Sequence, residues 1–269
     1  MSNKTRPTIP PEVKRAVRKR CGFGCVICGL PIYDYDHLTP WSEVNEHKED
    51  NLTLLCDKHH REKTSHFLPD EEVRKANSNP YNKLSGHSEP LKLHYKGAKF
   101  KVRMGKTLFG VDQLKSQDLM VPLIIDGYPM IAFSFVEDHL LLNLYLYDHY
   151  NQPVLIIEQN ELVIMVGIWD IQFVANRLII KLASRNVLMV IRFDPPSEIW
   201  IERGVFLLNG VRFTVTESDF KFADTVLSIG EVQARIGIVL GTSVGHPKMT
   251  TTYGAAFLQE EINRYCDSN

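Results

Sequence analysis

Two short pairs of soft metal ligands do most to limit how this chain can fold. Cys25-Val-Ile-Cys28 puts two thiols on one turn, and Cys56-Asp-Lys-His59 puts a thiol and an imidazole three residues apart. On a helix, positions three apart share a face. Four Cys/His donors in two pairs are what a closed tetrahedral zinc site needs. Such a site replaces hydrophobic core in a unit too small to build one. Buried free thiols are common singly, but two such pairs point to structural zinc. Cys21 is badly spaced from Cys28 for a tight pair and is read as a spare, and Cys266 as a bystander near the end of the chain. Five cysteines, three of them close to histidines, fit metal ligation in a reducing compartment better than a disulfide framework. A cytoplasmic protein is expected. No apolar run approaches the roughly 18 residues of a membrane helix, so no membrane partner is expected, and the polar start of the chain lacks the apolar core of a secretory signal.

The chain changes character between residues 67 and 90. Before His66 it is polar, basic and rich in Cys and His; after Leu91 it is a succession of β-type runs. The stretch between carries turn and loop residues and one candidate short helix at Asp70–Ala76. This predicts a small domain at 1–66, a linker at 67–90 and a β-rich domain at 91–269. In the first part, Pro11 opens a helix carrying Val13, Ala16 and Val17 at helical spacing, ended by Gly22-Phe23-Gly24. Ile32 to His37 alternates like a strand, Leu38–Asp50 reads as a loop, Asn51-Leu52 as a second strand or helix entry, and Leu54 to about Ser65 as a helix. The second part holds runs such as HLLLNLYLYD, RLIIKLASRN and VFLLNGVRFTV, broken by turn residues about every ten positions. That pattern suits a sandwich, a barrel or a solenoid-like stack. QPVLIIEQN and RLIIKLASRN hint at a weak repeat, residues 241–254 read as a long polar loop, and Tyr253–Cys266 as an amphipathic helix. The fold class is therefore α+β: a small zinc-stapled domain followed by a larger all-β domain.

A second donor set shares the zinc stretch. Asp36-His37 precedes the loop; Asn51, His59 and His60 follow it. Adjacent helix residues diverge by about 100°, so His59 and His60 cannot easily serve one small site. His59 shares a face with Cys56, and His60 points elsewhere, toward Asp36. Singly, each of these has a plainer reading: a surface Asp-His pair, an Asn that caps a helix, a solvated histidine.

Taken in order, Arg18, Cys25-Val-Ile-Cys28, Asp36-His37, Asn51-Leu52, Leu54-Leu55-Cys56, His59-His60 and Lys63 resemble the HNH endonucleases of the His-Me finger group. The resemblance covers about residues 9–64. The chain departs from the family in having His59 where a cysteine is usual, leaving a Cys3His set. It also has Trp41-Ser-Glu-Val where a Gly-rich loop is often seen. The resemblance implies a ββα-metal fold that hydrolyses phosphodiesters, with His37, Asn51 and His60 as catalytic residues. His37, whose ordinary pKa is near neutrality, would take the proton of an attacking water. Asp36 and His60 would hold one divalent cation, Mg²⁺, Mn²⁺ or Zn²⁺. Asn51 would hydrogen-bond across the loop and fix the base.

The first 20 residues hold seven basic residues against one acidic. A solvated helix face is the ordinary reading. Beside the nuclease motif, Lys14, Arg15, Arg18 and Arg20, with Arg61 and Lys63 beyond, are read as contacts to DNA phosphates. Nothing resembles a base-reading module. Residues 67–269 carry a net charge of −3, which disfavours a wider DNA footprint. A ligand, a protein partner or self-association is left open for the β region, whose Trp169, Trp200, Tyr145 and Tyr147 read as core more readily than as a pocket. Two function classes follow: a metal-dependent DNA endonuclease with a β-rich regulatory or targeting domain, or a non-catalytic zinc module that binds DNA or a protein.

Overall fold

The computed structural model describes residues 7–250 except 112, 114, 116, 117, 137, 138, 223, 224, 228–230, 234, 235, 244 and 245. The chain divides into two compact units. One is Met1–Leu91 together with Ile164–Gln172, and the other is Lys92–Val163 together with Phe173–Asn269.

The first unit begins with helix α1, Pro11–Arg20, whose first-turn proline has no amide hydrogen to leave unpaired. The helix ends at Cys21, and Gly22 follows with φ +71°. Strand β1 (Asp34–His37) pairs antiparallel with β2 (Leu52–Leu55), in register Asp36↔Thr53 and His37↔Leu52. A short helix α2, Trp41–Val44, and a 3-10 turn at Glu49–Asn51 interrupt the stretch expected as a loop. Helix α3 runs over Asp57–Thr64 with Cys56 as its N-terminal flank. It starts three residues later than the sequence pattern implied, because Leu54 and Leu55 belong to the strand and are fully buried there. The order β1, β2, α3 is the ββα unit.

Residues 67–90, read as a linker, lie within this unit and carry helices α4 (Asp70–Ser78) and α5 (Tyr81–Ser85). The expectation missed what these short polar helices bury. Val73 joins Val17, Cys21, Val26, Leu38, Leu52, Leu54 and Leu55 in one hydrophobic cluster. Arg74 of α4 donates to the Leu38 carbonyl at 2.7 Å. Asn82 of α5 is fully buried and donates to the Gly22 carbonyl at 2.8 Å. Gly24 is needed for that fit, since a Cβ there would lie 2.5 Å from the Gly29 carbonyl oxygen and closer still to the Asn82 amide.

Ile164–Gln172 completes the unit from far along the chain. Ser88 exchanges hydrogen bonds with Ile164, its amide donating to the carbonyl and its hydroxyl accepting from the amide. Arg18 of α1 meets Asp170 in a two-point pair, Nε to Oδ1 at 2.9 Å and Nη2 to Oδ2 at 2.7 Å. Both side chains are under 10% exposed. Arg15 lies over the Trp169 ring, 3.6 Å from its centroid. Trp169 is half-buried, so it stacks at the edge of the unit instead of filling core.

Among the described residues, the second unit is built on two large sheets, one of eight strands and one of ten. Leu119–Ile125, Tyr128–Val136, His139–Tyr147 and Pro153–Glu158 form an antiparallel meander. Asp126-Gly127, Gln159-Asn160 and Asn209-Gly210 make two-residue turns with both residues at positive φ, the geometry that matches strand twist. Along His139–Tyr147 the leucines at 140, 142, 144 and 146 are buried and their neighbours half-exposed, the alternation of a half-buried strand. The two segments read as a weak repeat fall in different sheets. Glu198–Leu208 is one eleven-residue strand that continues through Gly204. Gly204 sits opposite Met189 beside an irregularity in register, where a Cβ would meet the Leu188 carbonyl oxygen at 2.7 Å. The glycine marks close backbone approach, not a turn. Trp200 lies over the Arg192 guanidinium at 4.1 Å, and Tyr145 and Tyr147 are half-buried. Of the stretch expected as a polar loop at 241–254, residues 241–243 and 246–250 lie in two antiparallel strands, Ile236–Ser243 and His246–Thr250, and the rest lies outside the described residues. The expected helix at Tyr253–Cys266 lies outside the described residues. Among the described residues, no helix is long and apolar enough to cross a membrane.

Candidate active site

The turn after α1 and the start of α3 bring four donors together. The ligand atoms of Cys25, Cys28, Cys56 and His59 all lie within 4.8 Å of one another. Cys28 Sγ is 3.8 Å from Cys56 Sγ, and His59 Nδ1 is 3.3 Å from Cys25 Sγ and 3.2 Å from Cys56 Sγ. Sulfurs at about 2.3 Å from a tetrahedral centre stand about 3.8 Å apart, so this donor set can hold a metal such as zinc. The thiols share a proton unequally. A hydrogen bond from Cys28, reinforced by backbone hydrogen bonds, outweighs burial and pushes the Cys25 thiol down to about 4. The same hydrogen bond raises Cys28. A cluster that already favours one thiolate is primed for a cation. Cys21 stands outside the cluster, fully buried, with its thiol pushed up to about 11 by burial.

One residue further along α3, His60 faces the other way. Its Nε2 is 3.5 Å from Asp36 Oδ1, which is the spacing of neighbouring ligands on one ion when each bond is about 2.0–2.2 Å. Lys63, one turn on, takes the second oxygen of Asp36 at 2.5 Å and donates to the His37 carbonyl at 2.6 Å. His37 is at the end of β1 and is 5% exposed. Asn51 closes the loop that follows: its Oδ1 accepts from the Thr39 amide at 2.8 Å, its Nδ2 donates to the Thr39 carbonyl at 3.1 Å, and its own carbonyl accepts from the Leu38 amide. The structure thus gathers Asp36, His37 and His60 on one ββα unit, with Asn51 acting on the main chain beside them.

Sequence reasoning missed two side chains here. His47 Nδ1 is 3.3 Å from His37 Nε2, and Trp41 lies against both imidazoles, 5.6 Å from His37 and 4.4 Å from His47 between centroids. Neither belongs to a recognisable spacing. Only the loop closure made by Asn51 brings them to His37.

The basic residues are differently placed from the phosphate-facing set the sequence suggested. Arg18 is buried against Asp170 and also donates to the Tyr35 hydroxyl at 2.7 Å. Burial by itself would lower its pKa, but the bonds to Asp170 and Tyr35 more than reverse this and leave it raised. Arg15 lies on Trp169, Arg20 donates to Asn77 and to the Glu49 and Leu52 carbonyls, and Lys63 is held by Asp36. Lys14 is half-buried, 5.6 Å from the Tyr35 ring. Arg61 is exposed on α3 beside His60. An arginine-rich helix looks alike in sequence whether its guanidiniums face solvent or tie a small unit together.

A two-stranded sheet and helix thus carry a Cys3His cluster that can hold a metal on one side and an Asp/His pair beside a buried histidine on the other. Residues 25–66 match the HNH endonuclease family model, and the C-terminal region matches no family. No curated protein and no solved structure matches the chain.

Proposed function

We propose that this protein is a metal-dependent endonuclease that hydrolyses DNA phosphodiester bonds. Cys25, Cys28, Cys56 and His59 hold a structural zinc, and Asp36 and His60 hold a catalytic divalent cation. The observation that carries this reading is the 3.5 Å approach of Asp36 Oδ1 to His60 Nε2, next to His37, within the segment that matches the family. His37 takes the proton of the attacking water as the new P–O bond forms and the bond to the leaving oxygen breaks. A divalent cation held by Asp36 and His60 would supply neutralisation of the charge on the scissile phosphate and the leaving oxygen. Lys63 fixes Asp36 by one oxygen and leaves the other turned to His60. Asn51 holds the loop through both polar atoms of the Thr39 backbone, so the base does not drift. Arg61 is the basic residue of this face best placed to meet the DNA backbone. The β-rich unit serves regulation or targeting.

The test is plasmid cleavage with Mg²⁺ or Mn²⁺, comparing the full chain with His37→Ala. Loss of a general base costs about 10²–10⁴-fold. The expected result is cleavage by wild type and a loss of that size in the variant, with the fold kept. Activity of the variant within a few-fold of wild type removes His37 from its role. DNA that is bound but uncut by wild type with either metal instead identifies a non-catalytic zinc module.

A further inference from the structure

We infer that Asn82 is a positioning residue of the Cys25–Cys28 turn, and that residues 81–89 clasp this turn in the shape that turns its thiols to Cys56 and His59. The inference rests on the reading of these four residues as a zinc site. Its geometry comes from a segment that lies outside the family match at residues 25–66. Three donors of the segment meet main-chain carbonyls in and beside the turn. The Tyr81 amide donates to the Val26 carbonyl at 3.0 Å, and the Glu89 amide to the Gly29 carbonyl at 3.2 Å. The Asn82 side chain reaches the Gly22 carbonyl at 2.8 Å. A carbonyl can only accept, so the atom facing it is the amide nitrogen. The Tyr81 hydroxyl donates to Glu89 Oε2 at 3.1 Å and ties the two ends of the clasp together. The Val26 amide donates in turn to the Leu54 carbonyl of β2. Val26, between the two cysteines, is therefore held from both β2 and α5.

Asn82 is the centre of this arrangement. It is fully buried, and it fills a slot that three glycines leave open. A Cβ on Gly22 would lie 2.9 Å from the Asn82 Cβ, and Cβ atoms on Gly24 and Gly29 would strike the amide nitrogen and oxygen. Gly24 precedes Cys25 and Gly29 follows Cys28, so Asn82 touches the chain on both sides of the ligand pair. The amide makes one bond with two polar atoms: Oδ1 is buried and has no hydrogen-bond partner among the described residues. A buried acceptor left unpaired costs stability. Packing alone would favour leucine, which is of similar size and carries no polar atom. What asparagine adds is the donor that holds the Gly22 carbonyl, and with it the approach of the chain to Cys25.

The experiment uses the full chain, zinc and cobalt(II), and three variants. Asn82→Leu keeps bulk in the slot and removes the donor, and Asn82→Ala removes both. Val73→Ala thins the hydrophobic cluster of the same unit and removes no hydrogen bond. Zinc affinity, read by competition with a chelator, should fall roughly 10–100-fold in both Asn82 variants, the usual cost of losing an outer partner of a metal site. It should stay within a few-fold of wild type in Val73→Ala. Loaded with cobalt(II), the Asn82 variants should lose part of the sulfur-to-metal charge-transfer absorption, because a thiolate has moved away. Val73→Ala should keep the wild-type spectrum. Asn82 variants with wild-type affinity overturn the inference. So does a loss of affinity that Val73→Ala matches while the cobalt spectra of all three stay as in wild type, since Asn82 would then serve stability alone. Should neither Asn82 variant fold, amide exchange of the wild-type chain decides the matter. Coupling between clasp and metal is reciprocal, so removing zinc should expose the Tyr81 and Glu89 amides together with the Gly29 amide. Protection kept at Tyr81 and Glu89 while Gly29 opens overturns the inference. A wild-type chain that binds neither zinc nor cobalt refutes the zinc reading and this inference with it, whereas a chain that binds both and is insensitive to Asn82 refutes the inference alone.

Discussion

At the scale of single residues, the four cysteines of the first unit divide by environment. Cys25, Cys28 and Cys56 meet His59 at the separations of a tetrahedral site. Replacing Cys28 with serine should remove about one zinc per chain by metal analysis and unfold the first unit, because a small unit draws its folding energy from the metal. A Cys28→Ser protein with its near-UV signal intact and no zinc would contradict this. Cys21 behaves in the opposite way. Its folded pKa is raised to about 11 from 9.0 because burial disfavours the thiolate. A group of this kind contributes stability that is fully present below the unfolded value and is lost as pH rises through the folded one. The urea midpoint of wild type should therefore fall between pH 9 and 11 more steeply than that of Cys21→Ala. Equal slopes would mean that Cys21 ionises as easily in the folded chain as in the unfolded one.

At the scale of elements, helix α1 shows how a charge run can mislead. Its arginines point to Asp170, Trp169 and Asn77, so the helix is a hub of the unit that it begins. The Arg18–Asp170 pair is buried on both sides and doubly hydrogen-bonded. Removing one partner leaves a charge without compensation, which costs about 3–5 kcal/mol. Asp170→Ala should lower stability by about that amount, while Arg61→Ala on the exposed face of α3 should leave stability within about 0.5 kcal/mol. Denaturant titration of both proteins measures the contrast. A similar cost for the two would make the pair an ordinary surface contact. The β elements were easier to anticipate than the helices of residues 67–90. Alternation such as that of His139–Tyr147 has a period of two that survives in sequence. The short helix expected at Asp70–Ala76 is α4, Asp70–Ser78, but its one buried residue, Val73, is too thin a signal to show that the stretch packs into the unit.

At the scale of the whole molecule, the first unit is not a contiguous piece of chain. Ile164–Gln172 supplies Asp170 to Arg18, Trp169 to Arg15 and the Ile164 backbone to Ser88. A fragment ending at Leu91 keeps every zinc ligand but loses these partners. It should take up zinc and melt below the full chain's zinc-dependent transition. Asp170→Ala in the full chain should reproduce part of that deficit. A fragment that melts with the full chain would show that the returning segment adds no stability to the unit.

The Cys/His cluster that can hold a metal such as zinc, the approach of Asp36 to His60 beside His37, and the β-rich character of the described residues after 91 were legible in the sequence. Their physical causes are local. Metal ligation needs donors at fixed short spacing, and a half-buried strand needs alternation, so both leave marks within a few residues. Other features were settled only by the tertiary structure. Arg18 meets Asp170 across 152 positions, Lys63 turns from a candidate phosphate contact into the partner of Asp36, and His47 reaches His37 through a loop closed by Asn51. These depend on which surfaces meet when distant segments pack. A basic side chain or a histidine carries no sign of its future partner until burial removes water and leaves it one hydrogen-bonding choice.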